Sequence, residues 1–284
     1  MDRPAGWSKT NVSKEGIQVT VMRSGRNVAT KRTSSTTARE LAELMVGESV
    51  PDHLRSERSA PSGERPAARV DHLDLTDAAG VVRLAGVSLE VEHGEIFGIA
   101  GVNGNGQSEL AEAIVGLRRQ TGGHIHLGGD VIDHCSVSMR RHSGVRYVPA
   151  DRRGVGSIEA MSITKNIMLG SCGRFSRHGF LQRRNASERA EELIDRYDVL
   201  TPSAEFPAGN LSGGNLQKMI LARELEGRAR LLVVEQPTRG LDVKATARVR
   251  QTLLDCRDAG MGVLLISVDL DELLELSDRI GVMF

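Results

Sequence analysis

The sequence predicts an α/β fold with a mostly parallel sheet that is covered by helices. Three apolar, strand-like runs predict it, at Glu95–Ala100, Leu231–Val234 and Val263–Ser267, because each of them is followed by a helical stretch. Strands that alternate with helices are typical of parallel sheets. Ligands of such sheets bind beside the carboxyl ends of the strands, so the residues just after these runs are the first candidates for a functional site.

The composition argues against several classes of function. The 284 residues hold 37 lysines and arginines against 37 aspartates and glutamates, and this neutral balance disfavours a nucleic-acid partner. With 39% hydrophobic and 26% charged residues, the chain is globular rather than disordered. Its apolar runs fall well short of the roughly 18 residues of a spanning helix, and no apolar segment that would indicate a secretory signal follows Met1.

The elements at the start of the chain are a predicted strand pair and a helix. Polar and apolar residues alternate over Gln18–Met22, and Asn27–Thr30 is expected to return as the second strand. Thr36 or Thr37 is expected to cap the helix that follows. Residues 48–69 then contain prolines among serine, glutamate and arginine, which predicts a linker.

The remaining elements follow in order from residue 70. Val81–Val91 alternates in part and predicts a strand ahead of the first apolar run. The apolar positions of Ser187–Tyr197 recur at helical spacing, which predicts an amphipathic helix between the first and second runs. The helical stretches that follow the three apolar runs are Ser108–Leu117, Val243–Arg257 and Leu270–Leu276.

A glycine-rich segment connects the first apolar run to its helix. Residues 101–108 match the phosphate-loop pattern G-x-x-x-x-G-K-[ST] at every fixed position except one, where Gln107 replaces the lysine. Glycines let backbone N–H groups turn toward phosphate oxygens, and the start of the helix adds partial positive charge. Ser108 is placed to bind Mg²⁺ through its hydroxyl. The predicted nucleotide-binding residues of this loop are Gly101, Asn103, Gly104, Asn105, Gly106, Gln107 and Ser108.

The glutamine at position 107 changes the expected strength of nucleotide binding. An amide donates a hydrogen bond but carries no charge, and a charge-assisted hydrogen bond contributes roughly 1.5–3 kcal/mol. We therefore expect binding on the order of 10- to 100-fold weaker than with lysine. The alternative for this loop taken alone is a glycine-rich turn that binds no ligand.

Two further motifs follow along the chain. Ser212, Gly213 and Gly214 precede an apolar helix and offer a hydroxyl and exposed N–H groups, either as an anion site or as a plain helix cap. The second motif is the end of the Leu231 run, where Glu235 and Gln236 are brought to the ligand edge of the predicted sheet.

Taken together, these motifs resemble an ATP-binding cassette (ABC) ATPase, with a phosphate loop, a Leu-Ser-Gly-Gly signature, a strand with a terminal acid and a D-loop at residues 240–242. The residue sequences of these motifs are similar to those of the second cassette of tandem ATPases that drive the import of simple sugars or nucleosides. The resemblance implies a P-loop NTPase fold of ABC type, with a mostly parallel core sheet, an antiparallel β element and an inserted helical lobe at about 152–226. It covers residues 70–284, whose C-terminal end is expected to be truncated, while residues 1–47 resemble the remnant tail of a preceding cassette.

The resemblance also implies cofactors, partners and residue roles. ATP and Mg²⁺ are the implied cofactors, with Ser108 and Glu235 as the metal ligands and Asp242 among the nucleotide-binding residues. The signature Ser212–Gly214 would complete the active site of a partner cassette in trans. The implied partners are a first cassette or a second copy in a head-to-tail dimer, membrane permease subunits and, indirectly, a substrate-binding protein, at the cytoplasmic face of the membrane as a peripheral subunit.

Several features depart from a working ATPase of this family, and Glu235 stands where aspartate is usual. The other departures are Gln107, Gln236 in place of the catalytic glutamate, Val268 in place of the switch histidine, Ala150 at the Gln-loop position, and the lack of an aromatic residue between Trp7 and Phe97, where an adenine platform is usual. An amide cannot act as a base, and the loss of such a group removes roughly 10²- to 10⁴-fold in rate. The site is therefore expected to be degenerate, so that this cassette alone hydrolyses ATP poorly or not at all.

Other interpretations stay open on the sequence alone. The chain could be a non-catalytic nucleotide-binding regulatory module, an incomplete gene fragment without independent activity or, less favoured, a soluble ABC ATPase of translation or repair. Asp151–Gly154 is either a solvated turn or a contact with a membrane partner. His124 and His126 are expected to be surface histidines rather than metal ligands.

Overall fold

The computed structural model describes residues 18–23, 26–37, 40, 65–170, 172–177 and 180–284. The chain divides into two compact units, Met1–Asp52 and His53–Phe284. Within the described residues, no helix has both the length and the apolar character needed to span a membrane.

The first unit contains the predicted strand pair. Strands β1 (Gln18–Arg23) and β2 (Arg26–Arg32) pair in antiparallel fashion and are followed by a single 3₁₀ turn. The backbone N–H of Glu40 donates a hydrogen bond to the hydroxyl of Thr37 at 3.1 Å, as a helix cap would accept it. The predicted helix beyond Glu40 lies outside the described residues.

The core of the second unit is a five-stranded, all-parallel sheet, as the alternation of strands and helices predicted. Its strand order is β13-β5-β12-β11-β8. The three predicted apolar runs match their strands to within one residue at each end, because all three run through the buried interior. The five strands are β5 (Ile96–Ala100), β8 (Val145–Val148), β11 (Leu231–Glu235), β12 (Gly262–Ile266) and β13 (Arg279–Val282).

A second, four-stranded antiparallel sheet provides the expected antiparallel β element. Its strands, in the order β4-β3-β6-β7, are β3 (Ala68–Thr76), β4 (Val82–Val91), β6 (Gly122–Leu127) and β7 (Asp130–Val131). Strand β3 begins at Ala68, so the predicted linker 48–69 extends two residues too far. The physical reason is burial: Ala67 and Ala68 are enclosed, and Ala68 already pairs with Leu127 of β6 and Val91 of β4.

Seven helices are found in the described part of the second unit. They are α1 (Gln107–Val115), α2 (Val137–Ser143), α3 (Ile163–Met168), α4 (Arg183–Arg196), α5 (Gly213–Glu224), α6 (Val243–Asp258) and α7 (Leu270–Leu276). Helices α3, α4 and α5 lie between β8 and β11 in the chain, within the range expected for a helical lobe. A small hairpin of β9 (Ser176–Arg177) and β10 (Phe180–Leu181), which the sequence did not predict, lies between α3 and α4.

Helix α4 begins at Arg183, four residues before the predicted Ser187. Its buried face starts with Ala186, ahead of Ala190 and Leu193, so the first turn is already held by packing. Apolar pattern alone misses this turn because only an alanine marks it.

The two faces of the parallel sheet bury two separate hydrophobic clusters. On one face, Val233 and Leu264 pack with Leu110 of α1 and with the antiparallel sheet. On the other face, Val234 and Leu265 pack with the helices of the lobe and with α6 and α7. Because alternate residues of a strand point to opposite faces, the fully buried strand β11 contributes to both clusters. The carboxyl ends of β5, β11 and β12 therefore lie side by side at one fixed edge.

Candidate functional site

The glycine-rich loop joins β5 to α1 at the carboxyl edge of the sheet. Gly106 caps the helix with a φ of 91°, and a Cβ on it would lie 2.7 Å from the carbonyl oxygen of Arg83. Only glycine fits this position, because the backbone is left-handed and closely approached. Residues 102–105 are exposed, so the loop presents its backbone to solvent in front of the helix N-terminus, as the phosphate-loop pattern predicts.

Gln107 does not extend toward solvent but folds back across the loop. Its side chain is 7% exposed, and its amide Nε2 donates a hydrogen bond to the carbonyl oxygen of Val102 at 3.1 Å. A Cβ on Gly101 would lie 2.2 Å from that nitrogen, so the amide rests directly on the glycine. The amide thus bonds the loop to itself, at the position where the motif places a phosphate-binding lysine.

Ser108 and Glu235 meet as predicted. The hydroxyl of Ser108 donates a hydrogen bond to Oε2 of Glu235 at 2.6 Å, across the gap between α1 and the end of β11. The carboxylate is 4% exposed. Two oxygen-bearing side chains therefore converge beside the phosphate loop, and oxygen is the donor atom that Mg²⁺ prefers.

Tyr147 is a third member of this cluster that the sequence did not reveal. Its hydroxyl donates a hydrogen bond to the other oxygen of Glu235, Oε1, at 2.5 Å. Burial, with a further contribution from the Glu235 charge, raises the pKa of Tyr147 well above its ordinary value, so the phenol stays protonated and acts as a donor. The signal lies in the strand register: Tyr147 on β8 pairs with Val233 on β11, two residues before Glu235 and on the same face.

Gln236 follows Glu235 with its backbone in the left-handed region, at a φ of 47°. Its N–H donates to the carbonyl oxygen of Ile266 at 2.8 Å, and its side-chain Oε1 accepts a hydrogen bond from the N–H of Val268 at 3.4 Å. Val268 itself is 46% exposed and has no group that accepts a proton. Position 236, where the family carries a glutamate, and position 268, where it carries a histidine, are therefore linked by a hydrogen bond from the backbone N–H of Val268 to the side-chain amide of Gln236.

A buried carboxylate ties together the segments that follow β11 and β12. Oε1 and Oε2 of Glu272 on α7 accept hydrogen bonds from the hydroxyls of Thr238 and Ser267, each at 2.6 Å. Glu272 was not predicted from the sequence, because it lies among several acidic residues of an ordinary helix. Its contacts fix the two loops that hold Gln236 and Val268.

The signature segment opens helix α5. The Oγ of Ser212 accepts hydrogen bonds from the backbone N–H and the side-chain amide of Asn215, at 3.4 and 3.1 Å, so Ser212 is a helix cap. Ser212 is exposed and Gly213 is half-buried, whereas Gly214 is buried. A Cβ on Gly214 would lie 2.8 Å from Cβ of Ala245, so this glycine allows α5 and α6 to pack closely. The two predicted roles, cap and accessible anion site, are compatible in this geometry.

Asp242 caps the neighbouring helix α6. Its Oδ1 accepts a hydrogen bond from the N–H of Ala245 at 2.8 Å, and the residue is exposed. Ala245 is also the residue against which Gly214 packs. The D-loop and the signature therefore present adjacent helix N-termini to solvent.

The charged loop Asp151–Gly154 is more than a solvated turn. Arg153 donates hydrogen bonds to the carbonyl oxygens of Gly209 and Leu211, at 3.1 and 3.4 Å, just ahead of the signature and at its first residue. Arg152 donates to the carbonyl oxygen of Arg239, just ahead of the D-loop. The loop thus bonds to both segments.

The two histidines of β6 pair with separate carboxylates. His124 Nδ1 lies 2.7 Å from Asp133 Oδ2, and His126 Nε2 lies 3.2 Å from Asp71 Oδ2. Within the described ranges, no group of histidine, cysteine, aspartate and glutamate side chains is arranged to hold a metal ion.

Comparison with known proteins identifies the fold and the family. The family model described as ABC transporter matches residues 84–239, which include the phosphate loop, the signature and the end of β11. The chain belongs to the ABC transporter family. The predicted family and the predicted P-loop NTPase fold of ABC type are thus confirmed.

Curated relatives of this ABC cassette are import ATP-binding proteins. It is 43% identical over 271 residues to the glucose import ATP-binding protein TsgD13 of Haloferax volcanii, covering 94% of this chain and 49% of the relative. It is 42% identical over 269 residues to the guanosine import ATP-binding protein NupO of Bacillus subtilis (94% and 52%), and 35% identical over 267 residues to the ribose import ATP-binding protein RbsA of Yersinia pestis (94% and 51%). The chain spans about half the length of these relatives.

Solved structures of ABC cassettes share the fold. A dimeric cassette in a post-hydrolysis state with ADP and phosphate superposes with a TM-score of 0.66 at 22% identity, covering 76% of this chain and 94% of that one. A nucleotide-free cassette gives a TM-score of 0.64 at 22% identity, with 77% and 88% covered. Domains of this family bind nucleotide, generally with Mg²⁺. The backbone N–H groups of the loop fit the phosphates of a nucleotide, and the oxygens of Ser108 and Glu235 fit Mg²⁺. The one element of the loop pattern that is missing is the positive charge at position 107.

Proposed function

We propose that this cassette is the ATP-binding, energy-coupling unit of an importer for simple sugars or nucleosides, held at the cytoplasmic face of the membrane by permease subunits. The names of the relatives support this proposal, since they are import ATP-binding proteins for glucose, guanosine and ribose. These solutes differ while the cassette sequence stays similar, so the choice of solute belongs to the permease and, through it, to a substrate-binding protein.

In this proposal the cassette binds ATP at its own phosphate loop but turns it over poorly. The loop N–H groups would hold the phosphates, while Ser108 and Glu235 would hold Mg²⁺. When bound, the ion neutralises negative charge on the phosphate oxygens. Gln107 supplies no charge to those oxygens, and Gln236 supplies no base for an attacking water.

The second part of the proposal is that the signature acts on a partner. The observation that carries it is a contrast between two sets of residues. Gln107 and Gln236 are both buried and bonded to backbone atoms of their own cassette, whereas Ser212 and Asp242 cap exposed helix starts. An exposed cap with free access to solvent suits a site that is completed between two cassettes in a head-to-tail pair.

Gln107→Lys should tighten ATP binding about 10- to 100-fold, because the ammonium restores a charge-assisted hydrogen bond to the phosphates. Equilibrium binding of a fluorescent ATP analogue to the 284-residue chain, in the presence of Mg²⁺, measures the change. Gln107→Leu is the matched control, since it keeps the bulk but removes the donor, and it should bind no better than the parent. Equal affinity in all three proteins would contradict the assigned role of this position.

Ser212→Arg tests the action in trans. The partner cassette for this test carries lysine and glutamate at the positions of Gln107 and Gln236. We expect Ser212→Arg to lower the joint ATPase rate of the chain and this partner by more than about tenfold, since a large cation blocks the signature. The control is Ser203→Arg, at an exposed serine of the same lobe, which should leave the rate unchanged. A joint rate that is insensitive to Ser212→Arg would refute the completion of a partner site.

A further inference from the structure

Glu235 is held by two hydroxyl groups, one on each oxygen of its carboxylate. Ser108 donates to Oε2 at 2.6 Å and Tyr147 donates to Oε1 at 2.5 Å. The carboxylate is almost completely buried, so these two hydrogen bonds define its orientation. Ser108 directly follows the phosphate loop, whereas Tyr147 lies on the neighbouring strand β8.

The contact with Tyr147 depends on the length of the side chain at position 235. Tyr147 pairs in register with Val233, so its side chain lies on the same face of the sheet as that of Glu235 but one pleat earlier. Glutamate has one methylene and one torsion more than aspartate, so it reaches farther but has more rotamers to choose from. A side chain of this kind serves as a metal ligand only if something selects one rotamer.

We infer that Tyr147 is a positioning residue of the cation site, which fixes Oε1 of Glu235 so that Oε2 stays beside Ser108. This inference rests on the proposed nucleotide and Mg²⁺ binding. It explains how a glutamate can serve as a metal ligand at position 235. Hydrogen bonds to the outer oxygen of a ligating carboxylate orient it and tune its basicity, and they belong to the metal site as much as the ligand does.

The chemistry of Tyr147 assigns it to this supporting role rather than to the ligand set. Its hydroxyl donates to Oε1 of Glu235, the oxygen that Ser108 does not contact. Because Tyr147 bonds to Oε1, its hydrogen bond does not occupy Oε2, the oxygen that would hold a cation together with Ser108.

Tyr147→Phe removes the hydroxyl and keeps the ring. The Mg²⁺ concentration that gives half-maximal ATP binding should rise about 10- to 100-fold, the usual effect of losing such a partner on metal affinity. Binding of ATP in EDTA should change less than about twofold, because the loop N–H groups are untouched. Tyr197→Phe is the matched control, since it removes the only other tyrosine hydroxyl and lies at the end of α4 in the helical lobe.

A double-mutant cycle with Glu235→Asp separates positioning from general packing. Aspartate is one methylene shorter and is expected to lose the contact with Tyr147, so Tyr147→Phe should have less than about a twofold effect in the aspartate background. An equal effect of Tyr147→Phe in both backgrounds would mean that the ring position, and not the hydrogen bond, matters, and would overturn the inference. So would a Tyr147→Phe protein with the Mg²⁺ dependence of the parent.

Failure of the proposed function gives a different result. If the parent chain binds no ATP with or without Mg²⁺, nucleotide binding itself is refuted. Titration with Mn²⁺ in the absence of nucleotide, followed by electron paramagnetic resonance, then decides the role of Tyr147. Weaker Mn²⁺ binding by Tyr147→Phe than by the parent and by Tyr197→Phe supports it, and equal binding overturns it. Matched far-ultraviolet circular dichroism of all variants verifies that they are folded.

Discussion

The double variant Gln107→Lys/Gln236→Glu should hydrolyse ATP roughly 10²- to 10⁴-fold faster than the parent chain. The two changes restore the two kinds of side chain that the proposed ATP site of this cassette lacks. The lysine supplies positive charge to the phosphates, and the glutamate supplies a base for the attacking water. We expect the lower part of this range, because Val268 still occupies the position of the switch histidine.

The structure accommodates both substitutions. Glutamate has the shape of glutamine, so the left-handed backbone at position 236 and its hydrogen bond to Ile266 are unchanged. A carboxylate oxygen also accepts the hydrogen bond that Val268 N–H now donates to the amide. A lysine at position 107 gives up the bond to Val102, which frees the loop to close around phosphate.

Phosphate release at saturating ATP and Mg²⁺, measured for the chain alone and with a partner cassette, gives the rate. The single variants divide the effect: Gln236→Glu should act mainly on the turnover rate and Gln107→Lys mainly on the ATP concentration required. Gln182→Glu is the control, since it adds the same charge at the start of α4, where its partner is Asn185. If the double variant is no faster than Gln182→Glu, the loss of activity has another cause than these two residues.

The arrangement of strands and of the first site residues could be predicted from the sequence because it follows from burial. Strands β5, β11 and β12 are runs without a charged interior residue, and parallel order places their carboxyl ends together. Ser108 after the first and Glu235 at the end of the second were therefore expected to meet, and they do. The antiparallel sheet and the helical lobe were expected only from the family resemblance, since the alternation along β4 is partial and only an alanine marks the first turn of α4.

The contacts that complete the site depend on register and side-chain reach, which the sequence pattern does not contain. Tyr147 meets Glu235 only because β8 pairs with β11 in one particular register. Glu272 is one of several acids on α7, and nothing in the pattern distinguishes the one that binds Thr238 and Ser267. The missing lysine was evident from the motif, but the return of the Gln107 amide onto Gly101 was not.

Arg140→Ala should lower the free energy of unfolding by about 3–5 kcal/mol, the largest stability effect we expect in this cassette. Arg140 on α2 is 2% exposed. Its Nη1 donates to the carbonyl oxygens of Ala113 and Ile114 at 2.6 and 2.8 Å, at the C-terminal end of α1. Its Nε and Nη2 donate to the carbonyl oxygens of Cys135 and Asp133 at 3.1 and 3.2 Å.

One guanidinium thus satisfies four carbonyl groups and places a positive charge at the negative end of a helix dipole. Burial lowers the pKa of Arg140, but an arginine stays charged at neutral pH. Its removal leaves the carbonyl oxygen of Ile114 without its guanidinium donor in a buried environment, while that of Ala113 keeps only the N–H of Gly116. A buried group without a partner costs about 1–3 kcal/mol. Chemical denaturation followed by circular dichroism measures the loss.

Two companion variants identify the source of the effect. Arg140→Met keeps much of the buried volume without any donor, so it should recover only the packing part of the loss. Arg184→Ala removes an arginine that is 90% exposed and pairs with Glu188 on the same helix, and it should leave the denaturation midpoint nearly unchanged. Equal midpoints for Arg140→Ala and Arg184→Ala would contradict the role of Arg140. Because α1 carries Ser108 in its first turn and Arg140 contacts its last, a confirmed loss would mean that the hydroxyl proposed to bind Mg²⁺ is anchored from the far end of its own helix.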